Sequence, residues 1–81
     1  MKGKSDKVLY ERTFNLITCK DSNDKIISIN LDRVEWFRAD TDYSCEIHMF
    51  NCQFSIWVNI PEDKFRKAYL NYKKEINLKL V

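Results

Sequence analysis

The stretch that decides the fold is residues 43–58, YSCEIHMFNCQFSIWV. Apolar and polar side chains alternate through each half of it, which is typical of a strand with one buried face. Between the two halves, Asn51 and Cys52 predict a two-residue hairpin loop. The pairs that then face each other are all apolar: Met49 with Phe54, Ile47 with Ile56, and Cys45 with Val58. A slip of one residue would break every pair, so the pattern favours this register, in which Trp57 points outward.

A helix is predicted directly after this hairpin. Asn59 is its predicted cap, Pro61 lies in its first turn, and Glu62 stands three residues after the cap, as a capping box requires. Apolar residues then recur at helical spacing: Phe65, Ala68, Tyr69, Tyr72 and Ile76. We expect this apolar stripe to lie across the apolar face of the sheet.

Further strands are predicted before the hairpin. The first, residues 8–19, is predicted from one apolar face: Val8, Tyr10, Phe14 and Leu16. Residues 26–31 and 34–39 are short apolar segments between turns rich in Asp, Asn and Ser. The predicted fold class is therefore α+β, an antiparallel β-meander of four or five strands with one C-terminal amphipathic helix packed on one face.

A four-residue loop at residues 40–43 predicts how the segment 34–39 meets the hairpin. It sets Val34 against Met49 and Trp36 against Ile47 on the core side. The pairs on the reverse side of the sheet are then Glu35 with His48, and Phe37 with Glu46.

Length and charge limit what the chain can be. Its 81 residues allow one domain, predicted over residues 8–81 after a flexible basic arm at residues 1–7. Such a chain buries a small core, and oligomerisation is a common way to add buried area. Fourteen basic and 12 acidic residues give a net charge of +2, which by itself does not indicate a nucleic-acid partner.

The cysteine count and the apolar pattern predict a cytoplasmic protein. Three cysteines are an odd number for a disulfide framework, and the sequence opens with Lys2 and Gly3 rather than a signal-peptide apolar segment. No apolar run approaches the roughly 18 residues that a membrane span needs. We expect reduced thiols and no membrane partner. The abundance of residues with AT-rich codons suggests a small bacterial or phage protein.

The residue types that carry catalysis or bind metals form no convincing constellation. One set has a spacing that zinc could use: Cys45, His48, Cys52 and, as a fourth ligand, Cys19. In the predicted register, however, Cys45 and His48 point to opposite faces. His48 with Glu35 or Glu46 is more typical of a cross-strand ion pair than of an acid–base pair. The spacing allows no nucleophile–base–orienter set, and a single glycine excludes a glycine-rich phosphate loop. We therefore predict no enzyme activity, no metal and no cofactor.

Large aromatic side chains on the outer side of the sheet indicate a contact surface. The predicted protein interface consists of Phe37, Phe50 and Trp57 with Glu35, Glu46 and His48. The alternative is that the N-terminal strand folds over this side and covers it. The glutamates would repel phosphate, so a protein partner or a second copy of the chain fits this surface better than nucleic acid.

Cations at two places support an alternative, nucleic-acid-binding function. They are Lys2, Lys4 and Lys7 in the arm, and Arg66, Lys67, Lys73 and Lys74 on the helix. The helix cations are equally typical of a solvated helix face, where they complement the helix dipole near the C-terminus. Capture of a small anionic ligand between protomers is a third hypothesis.

Two segments carry a family resemblance: residues 29–34, INLDRV, and residues 58–62, VNIPE, at the entry to the helix. With the order of elements between Phe14 and Tyr69, they resemble small bacterial FlbD-like proteins and, more distantly, the first part of LytTR-type DNA-binding domains. The hairpin glycine typical of those families is replaced by Asn51-Cys52, and no basic segment follows the helix within the sequence. The resemblance therefore identifies no binding residue.

The function predicted from these observations is stoichiometric binding of another protein. The chain would act as a non-catalytic regulator or inhibitor and as a homodimer, with a phage or mobile-element origin suiting its size and composition. The outer side of the sheet around Trp57 would carry the contact.

Overall fold

A computed structural model describes residues 10–80, and their side chains up to residue 78. Within these residues the chain forms six β-strands, a short 3-10 turn and a C-terminal helix, which confirms the α+β class. The strands are β1 (Tyr10–Thr13), β2 (Leu16–Lys20), β3 (Ile26–Asn30), β4 (Val34–Thr41), β5 (Ser44–Met49) and β6 (Ser55–Val58); the 3-10 turn is Leu31–Arg33 and the helix, α1, is Glu62–Leu80. The predicted arm, residues 1–7, and the predicted strand start at Val8 lie outside the described residues.

The strands form two antiparallel sheets rather than the single predicted meander of four or five strands. β1, β2 and β3 are neighbours in the first sheet, and β4, β5 and β6 are neighbours in the second. The sheets are linked where Asp21, just after β2, bridges to Val58 in β6. The Asn59 amide also donates to the Lys20 carbonyl at 2.9 Å. The chain therefore wraps two three-stranded sheets round one core.

The core contains side chains from both sheets and from α1. Its buried apolar members are Ile17, Cys19, Ile29, Leu31, Cys45, Ile47, Val58, Ile60, Phe65, Ala68 and Tyr72. The helix contributes the stripe predicted from its periodicity, because Phe65 and Tyr72 are buried and Tyr69 and Ile76 pack against the core. The packing of α1 through this stripe is thus confirmed. In the described part of the chain, no helix has the length and hydrophobicity that crossing a membrane requires.

The predicted first strand is wrong in one respect, since the chain makes a hairpin in its middle. β1 and β2 pair with Thr13 opposite Leu16, so Phe14 and Asn15 form a two-residue loop. Phe14 has a φ of 51°, the positive value that tight hairpin turns need but that bulky residues rarely take. Its ring packs edge-on against Tyr72, with 5.3 Å between the centroids, and this contact compensates part of the backbone cost.

The hairpin also reverses which side chains face the core. Ile17 and Cys19 are buried, whereas Leu16, predicted on the apolar face, is exposed. Tyr10 keeps its predicted orientation and packs against the core. A turn of two residues is enough to produce this reversal because side-chain direction alternates at every residue of a strand.

A β-bulge changes the register between β4 and β5. Val34 faces Met49 as predicted, but an irregularity follows before Trp36. Beyond it, Trp36 lies opposite His48 and Phe37 lies opposite the buried Ile47. The extra residue in β4 inverts the parity of everything after it, which a pattern of strict alternation cannot predict.

Phe37 therefore faces the core, and its predicted place on the outer side is wrong. Its ring packs edge-to-face against Phe65, with 4.9 Å between the centroids, and against Tyr69 at 5.5 Å. These contacts join β4 to the helix.

The hairpin between β5 and β6 keeps its predicted register but has a longer loop. Two predicted pairs are confirmed: Ile47 with Ile56, and Cys45 with Val58. The third is wrong, because the connection spans residues 50–54 and Phe54 is 78% exposed in it. The chain turns at Asn51, whose φ is 64°, and the Cys52 amide donates to the Met49 carbonyl at 3.2 Å.

The helix begins later than predicted, and Asn59 does not cap it. α1 starts at Glu62, and the Phe65 amide donates to the Pro61 carbonyl at 3.0 Å. The residue preceding a proline is disfavoured in the helical region, so Pro61 marks the start of the helix rather than its interior. The Asn59 side chain instead donates to the Asp21 carbonyl at 3.1 Å and strengthens the junction of the two sheets.

Candidate protein interface on the second sheet

Six side chains share the solvent-facing side of the second sheet, and we call this set the outer face. The cross-strand register places them in two rows: Trp36, His48 and Ser55 in one, and Arg38, Glu46 and Trp57 in the other. Their neighbours along the strands, such as Ile47 and Val58, are buried in the core. Trp57 therefore points outward, as its parity predicts.

The first row holds a stacked pair of rings. The indole of Trp36 lies over the imidazole of His48, with 5.1 Å between the ring centroids and 11° between their planes. The guanidinium of Arg38 lies 5.4 Å from the centroid of the Trp36 ring, a distance typical of a cation–π contact. Trp36 thus contacts both His48 and Arg38 although 40% of its surface is exposed.

The second row is organised by Glu46. Its carboxylate accepts a hydrogen bond from Nε of Arg38 at 2.7 Å. Hydrogen bonds from Ser55 and Arg38 lower the pKa of Glu46, so the carboxylate stays charged well below neutral pH. The charge on Glu46 therefore fixes the direction in which Arg38 points.

His48, which stacks on Trp36, also approaches the carboxylate of Glu35. Its Nε2 lies 3.6 Å from Oε1 of Glu35, a contact that becomes an ion pair when the imidazole is protonated. Its Nδ1 is buried and has no hydrogen-bond partner among the residues that the structure describes. Glu35 and His48 thus approach each other across the strands, but the predicted pairing of the two residues is wrong, because the bulge places Trp36 opposite His48.

Three exposed aromatic side chains lie on or near β5 and β6 in the chain. Trp57 is 40% exposed beside Glu46, and Tyr43 and Phe50 stand exposed at opposite ends of β5. A strand rises about 3.3 Å per residue, so the seven steps from Tyr43 to Phe50 correspond to roughly 23 Å. Of these three aromatic residues, Trp57 lies on the outer face itself.

Most of the interface predicted from the sequence is brought together. Glu46, His48 and Trp57 lie on the outer face, and Glu35 reaches it through His48. Phe50 follows β5 in the β5–β6 loop, where its side chain is exposed. The alternative, in which the N-terminal strand covers this side of the sheet, is not what the structure shows, because β1 pairs with β2 in the first sheet. Phe37 alone is misplaced, for the reason given above.

Trp36 and Arg38 belong to the outer face but were not predicted there. The predicted register puts Trp36 in the core and Phe37 on the outer side, and the bulge in β4 exchanges them. One signal in the sequence favours the true arrangement: a buried indole N–H needs a hydrogen-bond partner, whereas a phenyl ring needs none. Between adjacent Trp and Phe residues, the Phe is the better candidate for the core.

The residues with zinc-like spacing do not converge. Cys45 is buried in the core, His48 lies on the outer face, and Cys52 is exposed in the β5–β6 loop. Across residues 10–78, no group of three or more His, Cys, Asp or Glu side chains is arranged to hold a metal ion.

A second surface feature is a groove between β1 and α1, which we call the basic groove. Its volume is about 260 Å³, and its lining residues are Tyr10, Arg12, Lys64, Lys67, Ala68 and Asn71. Arg12 crosses it to bind Glu75, with 2.5 Å between Nη2 and Oε2. The remaining charge of the groove therefore comes from Lys64 and Lys67.

The cations predicted for nucleic acid are dispersed. Lys67 lines the basic groove, whereas Arg66 binds Glu62 along the helix. Lys73 lies 5.2 Å from the centroid of the Tyr69 ring, and Lys74 is exposed. The remaining predicted cations lie outside the described residues: Lys2, Lys4 and Lys7.

The three thiols differ enough in their surroundings to predict different reactivity. Burial raises the pKa of Cys19 to about 11 and that of Cys45 to about 12, while Cys52 is exposed. Because the thiolate is the reactive form, iodoacetamide at about pH 8 should modify Cys52 in the native protein. Mass spectrometry should show one added group per chain, and three once the protein is unfolded in urea. Rapid native labelling of Cys45 would contradict the position of β5.

Comparison of the chain with protein-family models, with curated proteins and with solved structures finds no match. The resemblance to FlbD-like proteins stays a prediction. What the fold and the surface define is a small α+β domain with an exposed aromatic and charged sheet face.

Proposed function

We propose that the protein is a non-catalytic regulator or inhibitor that binds another protein stoichiometrically through the outer face. The observation that carries the proposal is the presence of two tryptophans, Trp36 and Trp57, each 40% exposed, on one face of one sheet. Trp and Arg are the residues most enriched among those that dominate binding energy at protein interfaces. The proposal places the chain in the cytoplasm, where its three unpaired thiols would stay reduced.

The order within the outer face supports tight rather than loose binding. Trp36 is already stacked on His48, and Arg38 is already bound to Glu46. A partner that docks on these side chains orders few additional rotamers, so less binding free energy is lost to side-chain entropy.

The charges of the outer face favour a protein over a nucleic acid. Glu35 and Glu46 both lie at this surface, and the one arginine, Arg38, is engaged with Glu46. Phosphates would be repelled by the carboxylates, whereas a protein surface can offer matching cations and apolar groups.

Replacement of Trp57 by alanine is the test of this proposal. We expect Trp57→Ala to keep the wild-type circular dichroism spectrum, because the side chain lies outside the core. We expect it to bind its partner at least about 30-fold more weakly, since alanine substitution of a central interface tryptophan costs roughly 2 kcal/mol or more. The measurement is affinity capture from the native host with wild-type and variant bait side by side, followed by titration of the captured protein.

A matched control is Ile26→Ala, which also removes an exposed apolar side chain but lies in the first sheet. It should retain the partner. Equal binding by wild type, Trp57→Ala and Trp36→Ala would remove the outer face from consideration.

The basic groove favours a second candidate, binding of a small anion or of nucleic acid. Lys64 and Lys67 face one cavity there, and Arg12 adds a third positive charge that Glu75 partly neutralises. Electrostatic binding should weaken steeply between about 50 and 200 mM salt, whereas binding through the outer face should change little. Titration of a fluorescent oligonucleotide with wild type and with Lys64→Ala/Lys67→Ala measures this. Equal affinity for both proteins at every salt concentration would exclude the groove.

A further inference from the structure

The edge of the second sheet formed by β4 is long, and among residues 10–80 no strand pairs with it. β4 has eight residues, six of them exposed, and within the described residues it has one neighbouring strand, β5. The strand contains neither proline nor glycine, the residues that most often disrupt pairing. Its other edge therefore presents backbone N–H and C=O groups that an added strand could bind.

The middle of β4 is the part best suited to pairing. Bulges lie between Val34 and Trp36 and between Ala39 and Thr41, and the four residues from Trp36 to Ala39 pair regularly with β5. Ala39 faces the inner side of the sheet with Phe37 and is nevertheless exposed, which shows that α1 does not extend over this end of the strand. A second strand could approach here without displacing the helix.

We propose that the strand added to this edge is β4 of a second copy of the chain, antiparallel, with Phe37 opposite Phe37 of the second copy. The inference deepens the proposed function, on which it rests, by naming the second copy as one partner and β4 as its site. Two three-stranded sheets would then form one continuous sheet across a twofold axis.

The register follows from symmetry and charge. A twofold axis perpendicular to the sheet pairs side chains of the same face. The regular stretch runs from Trp36 to Ala39, so an axis at Phe37 or at Arg38 allows three regular residue pairs between the two copies. An axis through Arg38 would set two guanidinium groups against each other, which is unfavourable. An axis through Phe37 sets Trp36 opposite Arg38 of the second copy, twice by symmetry.

The second register places each arginine between two indole rings. Arg38 already lies 5.4 Å from its own Trp36 ring, and 70% of its side chain is exposed toward solvent. Desolvation of such a cation between aromatic faces strengthens the contact. This complementarity of the edge with itself favours a second copy over an unrelated strand.

The arrangement has a consequence for the outer face. Because the axis is perpendicular to the sheet, the outer faces of both copies lie on the same side. Trp57 of each copy would then belong to one wide surface, so a partner that binds both copies gains from multivalency.

Charge reversal at the edge, with a matched control, tests the inference. In sedimentation equilibrium, the wild type should show a molecular mass of twice the 9.8 kDa of the single chain. Arg38→Glu should weaken self-association by roughly tenfold or more, because it removes two symmetry-related cation–π contacts between Arg38 and the Trp36 ring of the other copy. Arg66→Glu makes the same charge change in another exposed arginine–glutamate pair and should remain a dimer.

Hydrogen exchange of the wild type gives an independent readout if Arg38→Glu fails to fold. Amides of β4 should exchange more slowly as protein concentration rises, while amides of β3, an edge strand of the first sheet, should not change. A monomeric wild type at several hundred micromolar, or a dimer whose β4 amides show no such dependence, would overturn the inference.

The outcomes separate this inference from the proposed function. Trp57→Ala should remain a dimer, because Trp57 lies in β6 at the far side of the sheet. A monomeric wild type whose captured partner is lost with Trp57→Ala rejects the β4 dimer and supports the outer face. If the wild type is a β4 dimer and its partner binds Trp57→Ala normally, the β4 dimer is supported and the outer face is rejected as the binding site.

Discussion

Phe65→Ala is expected to destabilise the protein by about 3–5 kcal/mol, the usual cost of removing a fully buried phenylalanine. Phe65 has no exposed surface, and its ring contacts Phe37 of β4 and stacks on Tyr69 of the helix. The substitution therefore removes one of the two aromatic side chains of α1 that pack on Phe37 of the second sheet, and it leaves a cavity in the core.

The effect should be large relative to total stability. Domains are stabilised by roughly 0.05–0.15 kcal/mol per residue, which for this chain is on the order of 4–12 kcal/mol. Phe65→Ala should therefore unfold at much lower urea concentration than wild type, or be largely unfolded without urea. Tryptophan fluorescence and far-ultraviolet circular dichroism during urea titration measure the change.

Leu70→Ala is the matched control for this prediction. Leu70 is also an apolar residue of α1, but it is 53% exposed on the opposite side of the helix from the core. Its replacement should change stability by less than about 0.5 kcal/mol. Equal effects of the two substitutions would mean that α1 does not pack through its apolar stripe.

The predictable parts of the fold are the strands and the helix in which the spacing of apolar residues matches the buried face. Ile47 and Val58 alternate with polar neighbours, and the helix repeats apolar residues at its own period, so both buried faces could be read directly. The register of the β5–β6 hairpin followed, because a slip of one residue would separate the apolar pairs Ile47–Ile56 and Cys45–Val58.

The predictions fail at two places where a local change of the backbone leaves no mark in the pattern of apolar and polar residues. Phe14 takes a positive φ in a hairpin that no glycine marks, and the bulge before Trp36 adds a residue to β4. Both events invert side-chain parity downstream. Their stabilisation comes from tertiary contacts, such as that of Phe14 with Tyr72, which local sequence does not encode.

The candidate interface was predictable to the same extent as its strands. Trp57, Glu46 and His48 were placed correctly because they lie on regular β5 and β6. Trp36 and Arg38 were missed because they follow the bulge in β4. The basic groove was not predicted at all, since it depends on the packing of α1 beside β1.

The free energy of unfolding is expected to fall as pH rises above about 9, because two buried thiols and one tyrosine ionise more readily in the unfolded chain. Burial raises the pKa of Cys19 from 9.0 to about 11 and that of Cys45 from 9.0 to about 12. A hydrogen bond to Asp32 raises the pKa of Tyr72 from 10.0 to about 12. The folded state thus retains protons that the unfolded chain loses, so the stability contributed by the two thiols is complete below pH 9 and disappears as pH rises to 11–12.

Urea titrations between about pH 8 and pH 11 under reducing conditions test this argument. The wild-type free energy of unfolding should fall across the range, and Cys19→Ala/Cys45→Ala should show a shallower fall from a lower starting value. Cys52→Ala is the control, because Cys52 is exposed and its removal should leave the slope unchanged. Tyr72→Phe should remove the part of the fall that begins near pH 10, where the unfolded phenol ionises. If Cys52→Ala flattened the profile as much as the double variant, the loss would come from general charge repulsion and not from the buried thiols.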